Sequence, residues 1–391
     1  MTVAADGVEA RYAHLSAEHV ALLQSTQRLA AGDLAPIAEK GAERRVNRPL
    51  VAALAQHGLL ARLFRRGEDG AFADTSAMEL SLIREGLARG STEAETAFAL
   101  QGLGAYPILQ AGSPELIEAW IPRVAAGEAV AAFALTEPEA GSDVASMDLR
   151  AERDGDGFRL TGTKIFISNA PDADVYTVFA RTTEGAGARG ISAFAVPAES
   201  PGLSGERIRM VAPHPIGRLD FDGVPVGPEQ LLGDVDRGFA VAMRTLELFR
   251  PSVGAFAVGM AQAALDIAVD YAARREAFGK PISGFQAVSH RLAEMATRTQ
   301  AARLLVHSAA GAYDAGVRPV TEAVAMAKLF ATENAQWVVD GAIQIVGARA
   351  LEEGHLLEHL YREVRAPRIY EGTSEIQREI IARQLQRSLI G

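Results

Sequence analysis

Residues 158–168 read Phe-Arg-Leu-Thr-Gly-Thr-Lys-Ile-Phe-Ile-Ser. The apolar side chains of Lys164-Ile-Phe-Ile-Ser168 alternate with a period of two, which predicts a strand with Lys164, Phe166 and Ser168 on one face. Four further runs with the same short period surround it: VAAFALTEP (130–138), DVYTVFART (174–182), ISAFAVPA (191–198) and GRLDFDGVPV (217–226). Turn-forming residues separate them, including the glycine-bearing TTEGAGARG (182–190), which suits a hairpin connection. The middle of the chain is therefore expected to be a β domain, without βαβ winding.

On both sides of this block the apolar spacing lengthens to three and four. Toward the amino terminus it does so in HVALLQSTQRLA (19–30), LVAALAQHGLLARLF (50–64) and AMELSLIREGLARG (77–90). Toward the carboxyl terminus it does so in three long segments, 255–278, 285–316 and 321–347. These are long enough to pack as a four-helix bundle. The expected fold is α+β and multidomain: an N-terminal helical domain over 1–129, a central barrel- or sandwich-like β domain over 130–239, and a C-terminal helical bundle over 240–391.

The chain has 391 residues, is 48% hydrophobic and 23% charged, and carries a formal net charge of -10. Such a chain can bury two or three sizeable cores, and its negative charge argues against nucleic acid or anionic lipid as the main partner. It contains no cysteine, which excludes disulfides, thiolate metal sites and cysteine nucleophiles, so redox chemistry requires a cofactor. Residues 1–12 show no basic stretch followed by an apolar core, and a cytoplasmic protein without a membrane anchor is expected. The longest apolar segment, 251–265, reads as a buried helix.

Three segments have side chains suited to ligand chemistry, and each also has a plain structural reading. In FALTEPEAGSD (133–143), Thr136 and Ser142 offer hydroxyls and Gly141 permits close backbone approach; an ordinary strand-exit loop would look the same. In KIFISNA (164–170), Phe166 and Ser168 could cover a flat ring or simply finish a half-buried strand. In RREAFGKPISGFQAV (274–288), Arg275 could pair with a pyrophosphate or just complement a helix C-terminus. Near the end lies RIYEGTSEIQREIIAR (368–383), where Glu371 is either an exposed turn acid or a base. The histidines form no metal-binding pattern: His355 and His359 are four apart but lack one, and no metal is expected. The run Arg44-Arg45-Val46-Asn47-Arg48 reads as a solvated stretch ahead of a helix started by Pro49.

Taken in order, these segments, with FDGVPV and LLGDVDRGF between them and QIVGARA (344–350) ahead of YEGTSEIQ, resemble the acyl-CoA dehydrogenase family over nearly the whole chain. The resemblance implies that family's fold and non-covalent FAD. It implies that Phe133, Leu135, Thr136, Gly141 and Ser142 line the flavin and its ribityl-phosphate region, with Phe166 and Ser168 near the ring. Arg275, Phe278, Gln286, Gln344 and Gly347 would reach the ADP half, usually from a neighbouring subunit, in a homodimer or homotetramer. Thr373 and Glu375 would complete the flavin pocket. The implied chemistry is α,β-dehydrogenation of an acyl-CoA thioester. Glu371 would remove the α-proton as the β-hydrogen leaves as hydride to flavin N5. Arg250, Ser142 and Gly372 would lie against substrate, and an electron-transfer flavoprotein would take the electrons.

Some positions depart from the family's pattern. Ala348 and Ala350 stand where glycine is common, and Phe166 where tryptophan is frequent. Some members carry the base on the helix matching 245–254; the corresponding residue here, Phe249, accepts no proton, and Glu247 faces another side of that helix. Glu363 and Arg365 read as structural. Three alternatives remain open at this level: a dehydrogenase of carrier-protein thioesters, an oxygen-using oxidase on the same fold, and a non-catalytic flavoprotein.

Overall fold

The computed structural model describes residues 11–67, 72 and 75–390; most of the segment read for a leader, residues 1–10, lies outside them. Contacts divide the chain into two compact units. One is built from Met1–Ala35, Ser76–Glu95 and Arg250–Gly391, the other from Pro36–Thr75 and Thr96–Phe249.

The second unit holds a seven-stranded sheet: β1 Ala131–Ala134, β2 Arg150–Asp154, β3 Gly157–Ser168, β4 Val175–Arg181, β5 Ile191–Pro197, β6 Leu203–Arg207 and β7 Ile216–Val226. The order is β1-β4-β2-β3-β7-β6, with β5 also paired to β4. β4 and β5 form the antiparallel hairpin expected around residues 182–190. β1 runs parallel to β4, pairing Ala131 with Val175 through Ala134 with Val178. The first six residues of β4 and of β5 are all buried, which is why both read as nearly continuous apolar runs. Phe158, Tyr176, Phe194 and Phe221 fill the core beside them.

The common face expected for Lys164, Phe166 and Ser168 does not form. The register of β3 against β7 shifts between Lys164 and Ile167, and Phe166 sits at φ 57°. This bulge inverts the alternation, so Lys164 is wholly buried while Phe166 is 52% exposed.

The helical run read over 50–64 is two helices, Arg48–Gln56 and Leu59–Leu63, divided at Gly58. Pro49 does begin the first, with Asn47 as its cap. The preceding basic run is more than a solvated stretch: Arg48 pairs with Asp174 at 2.9 Å and donates to the Asp172 carbonyl, pinning the start of β4. In this unit Trp120 lies under the Arg123 guanidinium, 5.0 Å from the ring centre.

The first unit is helical. Its long members are Ala17–Leu29, Ala77–Gly90, the part of Gly238–Arg274 that follows Phe249, Gln286–Asp314, Thr321–Val346 and Ser374–Ile390. Alanine and valine dominate the core, with Ala257, Ala261, Ala264 and Ala268 repeating along one helix face. The apolar segment 251–265 lies within the 37-residue helix Gly238–Arg274, longer than its sequence suggested. By length and composition that helix could cross a membrane, but 83% of its most apolar window is buried inside the protein, as in a core helix.

One polar cluster interrupts this core. Glu85 accepts from Arg303 at 2.7 Å and from the Tyr12 hydroxyl at 3.2 Å, and His307 Nε2 lies 3.5 Å away. His14 stacks its hydrogen bond onto His307 at 2.8 Å, and Gln262 accepts from Arg303 at 3.0 Å. Burial alone would push the Glu85 carboxyl up; Arg303 and His307 outweigh it and bring it down to about 2. In the same unit, Arg291 and Arg298 stand over the Trp337 ring at 3.7 and 4.3 Å.

Candidate active site

In the helical unit the chain leaves a short turn at Ala366–Arg368 and enters the helix Ser374–Ile390 through Tyr370, Glu371 and Gly372. Glu371 has φ 53° and Gly372 φ 95°, so two successive residues occupy left-handed space. For a glutamate that conformation costs on the order of 1 kcal/mol or more and persists only where the surroundings impose it. Here side chains hold the two carbonyls. Arg250 Nε donates to the Glu371 oxygen at 2.9 Å, and Lys328 Nζ to the Gly372 oxygen at 2.6 Å. Gln377 Nε2 donates to both, at 3.3 and 3.1 Å. The φ of Gly372 calls for glycine, and a Cβ there would lie 2.5 Å from that Gln377 nitrogen and displace the amide from the two carbonyls.

The backbone is fixed while the carboxylate is left available. Glu371 Oε2 is shielded from solvent and accepts no hydrogen bond among the described residues. Burial raises its pKa above the ordinary carboxylate value, and Arg84, Arg250 and Lys328 pull the other way. Arg84 is itself buried, ion-paired through Nε to Glu95, and donates from Nη1 to Ser252 Oγ at 2.7 Å. A desolvated carboxylate with cations near enough to keep it ionised is chemically a proton acceptor.

Of the residues singled out in the sequence, Glu371, Gly372, Thr373 and Arg250 are brought together here. Thr373 caps the following helix, its Oγ1 accepting from Ile376 N at 3.3 Å. Glu375 is exposed in the first turn, its carboxyl held low by its own N–H and the Thr373 hydroxyl. Lys328, Gln377 and Arg84 carried no sequence signal, because two of them bind main-chain carbonyls and the third binds a buried acid eleven residues on.

In the sheet unit, the β1 exit loop is locked by Glu137. Its carboxylate accepts from Asp148 N at 2.5 Å, Leu149 N at 3.0 Å and Lys164 Nζ at 2.7 Å, and Lys164 also donates to the Leu135 carbonyl at 3.0 Å. Ile165 N donates to the Thr136 carbonyl at 2.9 Å, tying the β3 bulge to the loop. Leu135 is buried, Phe133 and Thr136 are half-buried, and Phe133 packs on Phe179 at 4.9 Å. Gly141, Ser142 and Phe166 are exposed, and Ser168 is half-buried. A Cβ on Gly141 would meet nothing within 4 Å. An exposed flat ring, two hydroxyls and an open glycine beside a rigid loop fit a flavin in chemistry and in room.

A third group lies on the helical unit. Phe278 and Gly279 form the two-residue turn of a small hairpin, Glu276–Ala277 with Lys280–Pro281, at φ 51° and 79°. Phe278 is 96% exposed, and Arg275, Gln286 and Gln344 are exposed as well. Gly347 has φ 77° and ψ -151°, a conformation only glycine adopts readily. The concern raised by the two alanines divides: Ala350 turns its methyl into the core, whereas Ala348 is exposed. His355 caps a helix through Nδ1, and His359 shares a 2.6 Å hydrogen bond with Thr92. Phe249 is buried, its ring 6.0 Å from Tyr106.

Comparison with known proteins gives the same assignment from outside. Three profiles match in succession: acyl-CoA dehydrogenase, N-terminal domain, over residues 16–128; middle domain over 132–224; and C-terminal domain over 236–386. Cyclohexane-1-carbonyl-CoA dehydrogenase of Geobacter metallireducens is 34% identical over 375 residues, 95% of this chain and 98% of that one. Among solved structures, butyryl-CoA dehydrogenase from Megasphaera elsdenii superposes with a TM-score of 0.88 at 32% identity, covering 95% of this chain and 99% of that one. PigA with FAD and proline gives 0.89 at 28% identity, covering 95% and 98%. Helical, β and helical segments thus follow one another in the order this fold requires, and the chain belongs to the acyl-CoA dehydrogenase family of oxidoreductases.

Proposed function

We propose that this enzyme removes the α- and β-hydrogens of an acyl-CoA thioester to give the trans-2-enoyl-CoA, with Glu371 as the base. The observation that carries this reading is the Glu371 carboxylate: its Oε2 is shielded and without a hydrogen-bond partner among the described residues, and it is mounted on a backbone that four side-chain contacts hold in a left-handed conformation. FAD, when bound, supplies the two-electron acceptor for the β-hydrogen.

Glu371 takes the α-proton onto its carboxylate and later releases it to water. Its own backbone N–H is assigned to the thioester oxygen on which negative charge develops. Phe133, Leu135, Thr136, Gly141, Ser142, Phe166 and Ser168 are assigned to the flavin and ribityl side, and Thr373 and Glu375 are assigned to FAD as well. Arg275, Phe278, Gln286, Gln344 and Gly347 are assigned to the ADP half of FAD in a neighbouring subunit of a homodimer or homotetramer. Their joint exposure, above all that of Phe278, supports a partner's covering them. Ser142 and Gly372 are assigned to substrate. Arg250 is likewise assigned to substrate, and its Nε also holds the Glu371 carbonyl. An electron-transfer flavoprotein is the proposed oxidant and the cytoplasm the proposed compartment. The sequence boundaries 1–129, 130–239 and 240–391 stand as the proposed domain limits.

The test is anaerobic bleaching of the yellow holoenzyme by a thioester panel that includes butyryl-CoA and cyclohexane-1-carbonyl-CoA. At least one should bleach it. Glu371→Gln should retain FAD yet lose about 100-fold or more in bleaching rate; a variant that bleaches normally overturns the base assignment.

A further inference from the structure

The chain has only four lysines, Lys40, Lys164, Lys280 and Lys328, among 39 basic residues. Two of the four, Lys164 and Lys328, are fully buried, so lysine is used in the core where arginine serves nearly everywhere else. Lys164 has an evident reason in its ion pair with Glu137. Among the described residues Lys328 has no such direct pair. Its Nζ donates to the Gly372 carbonyl at 2.6 Å, yet that oxygen already receives Gln377 Nε2 at 3.1 Å. A neutral donor therefore satisfies the carbonyl without an ammonium, and an ammonium in the core costs several kcal/mol of desolvation. What remains unexplained by the hydrogen bond is the charge.

We propose that Lys328 is a positioning residue for the Glu371 base: it clamps the Gly372 carbonyl, one residue from the base, and from that bond supplies a positive charge that favours the carboxylate over the carboxylic acid. This rests on the reading of Glu371 as the base. The charged groups acting on Lys328 are Glu371, Arg250, Glu333 and Glu375. Glu333 is engaged by Ser374 and Arg368, and Glu375 is exposed. Glu371 is thus the anion for which the charge is available. From the other side, Glu371 is acted on by Arg84, Arg250 and Lys328, and Arg84 has its own counter-ion in Glu95. Burial, against the pull of Glu371, lowers Lys328 to about 8, which leaves the ammonium the main form at pH 7.

The sign of the effect gives the test. Removing the cation raises the Glu371 pKa, so less of the base is ionised at low pH, while at high pH it ionises fully again. In the FAD-loaded enzyme, kcat/KM and exchange of the substrate α-proton into deuterated water are followed against pH for Lys328→Gln, Lys328→Met and Lys328→Arg. Lys328→Gln, which keeps a donor but no charge, should lose about tenfold on the acid limb and recover to within about threefold once pH exceeds the displaced limb. Lys328→Met should add a pH-independent loss from the missing clamp, and Lys328→Arg should leave the limb in place. A loss in Lys328→Gln that is equal at every pH, or no loss, overturns the proposal. Glu371→Gln separates the two claims: if it abolishes α-exchange while Lys328→Gln behaves as wild type, the base stands and the role of Lys328 falls. If Glu371→Gln retains exchange, the base assignment itself fails. A second measurement does not depend on the lysine variants folding. In lysine labelled with carbon-13 at Cε, four signals report the four lysines. The Lys328 signal should titrate at lower pH in Glu371→Gln than in the unaltered enzyme; an unmoved titration overturns the proposal.

Discussion

At the scale of single residues, the site depends on backbone conformation as much as on side-chain chemistry. A glutamate is expensive at φ 53°, and the expense is met by donors on its carbonyl and the next one. Gly372→Ala should lower stability by about 1–2 kcal/mol from its φ of 95° alone. It should also displace the Gln377 amide, which a Cβ would approach to 2.5 Å. We expect a lower melting temperature together with slower bleaching by substrate, with FAD retained. Glu371, Gly372 and Thr373 were legible only through the family resemblance, since alone Glu371 reads equally as an exposed turn acid. Lys328 and Gln377 were hidden for a physical reason: their partners are carbonyl oxygens, which every residue has.

At the scale of elements, the β1 loop and β3 show how a local pattern can be correct and still misplace side chains. Alternation in 164–168 identified the strand, but one bulge sent Lys164 inward and Phe166 outward. A non-glycine residue at positive φ announces itself weakly in sequence, so the bulge was not legible. Its consequence is the buried Lys164–Glu137 pair, in which burial lowers Lys164 to about 8 against the pull of Glu137. Glu137→Gln leaves that lysine without its counter-charge and should cost about 3–5 kcal/mol. Because Glu137 also holds two loop amides, FAD should dissociate more readily, as read by flavin loss on gel filtration. The double variant Glu137→Gln, Lys164→Met should recover stability and not full FAD retention, since one of the two loop amides then faces an NH2 group and stays without an acceptor.

At the scale of the whole molecule, the succession of helical, β and helical sections was legible because apolar spacing changes from three and four to two and back. The grouping of Met1–Ala35 and Ser76–Glu95 with Arg250–Gly391 was not, since it depends on contacts distant in sequence. The Glu85 cluster is one such contact, joining Tyr12 and His14 to Arg303 and His307. With its folded pKa brought from 4.5 to about 2, Glu85 contributes stability that is fully present above about 4.5 and is lost as pH falls through about 2. Glu85→Gln should therefore lower the melting temperature at neutral pH and flatten its decline on the acid side, as calorimetry across that range would show. The two tryptophans, each under arginine, belong to different units: Trp120 to the sheet unit, Trp337 to the helical one. Each unit thus carries its own intrinsic fluorophore, and replacing either with phenylalanine turns the other into an optical reporter for its unit alone.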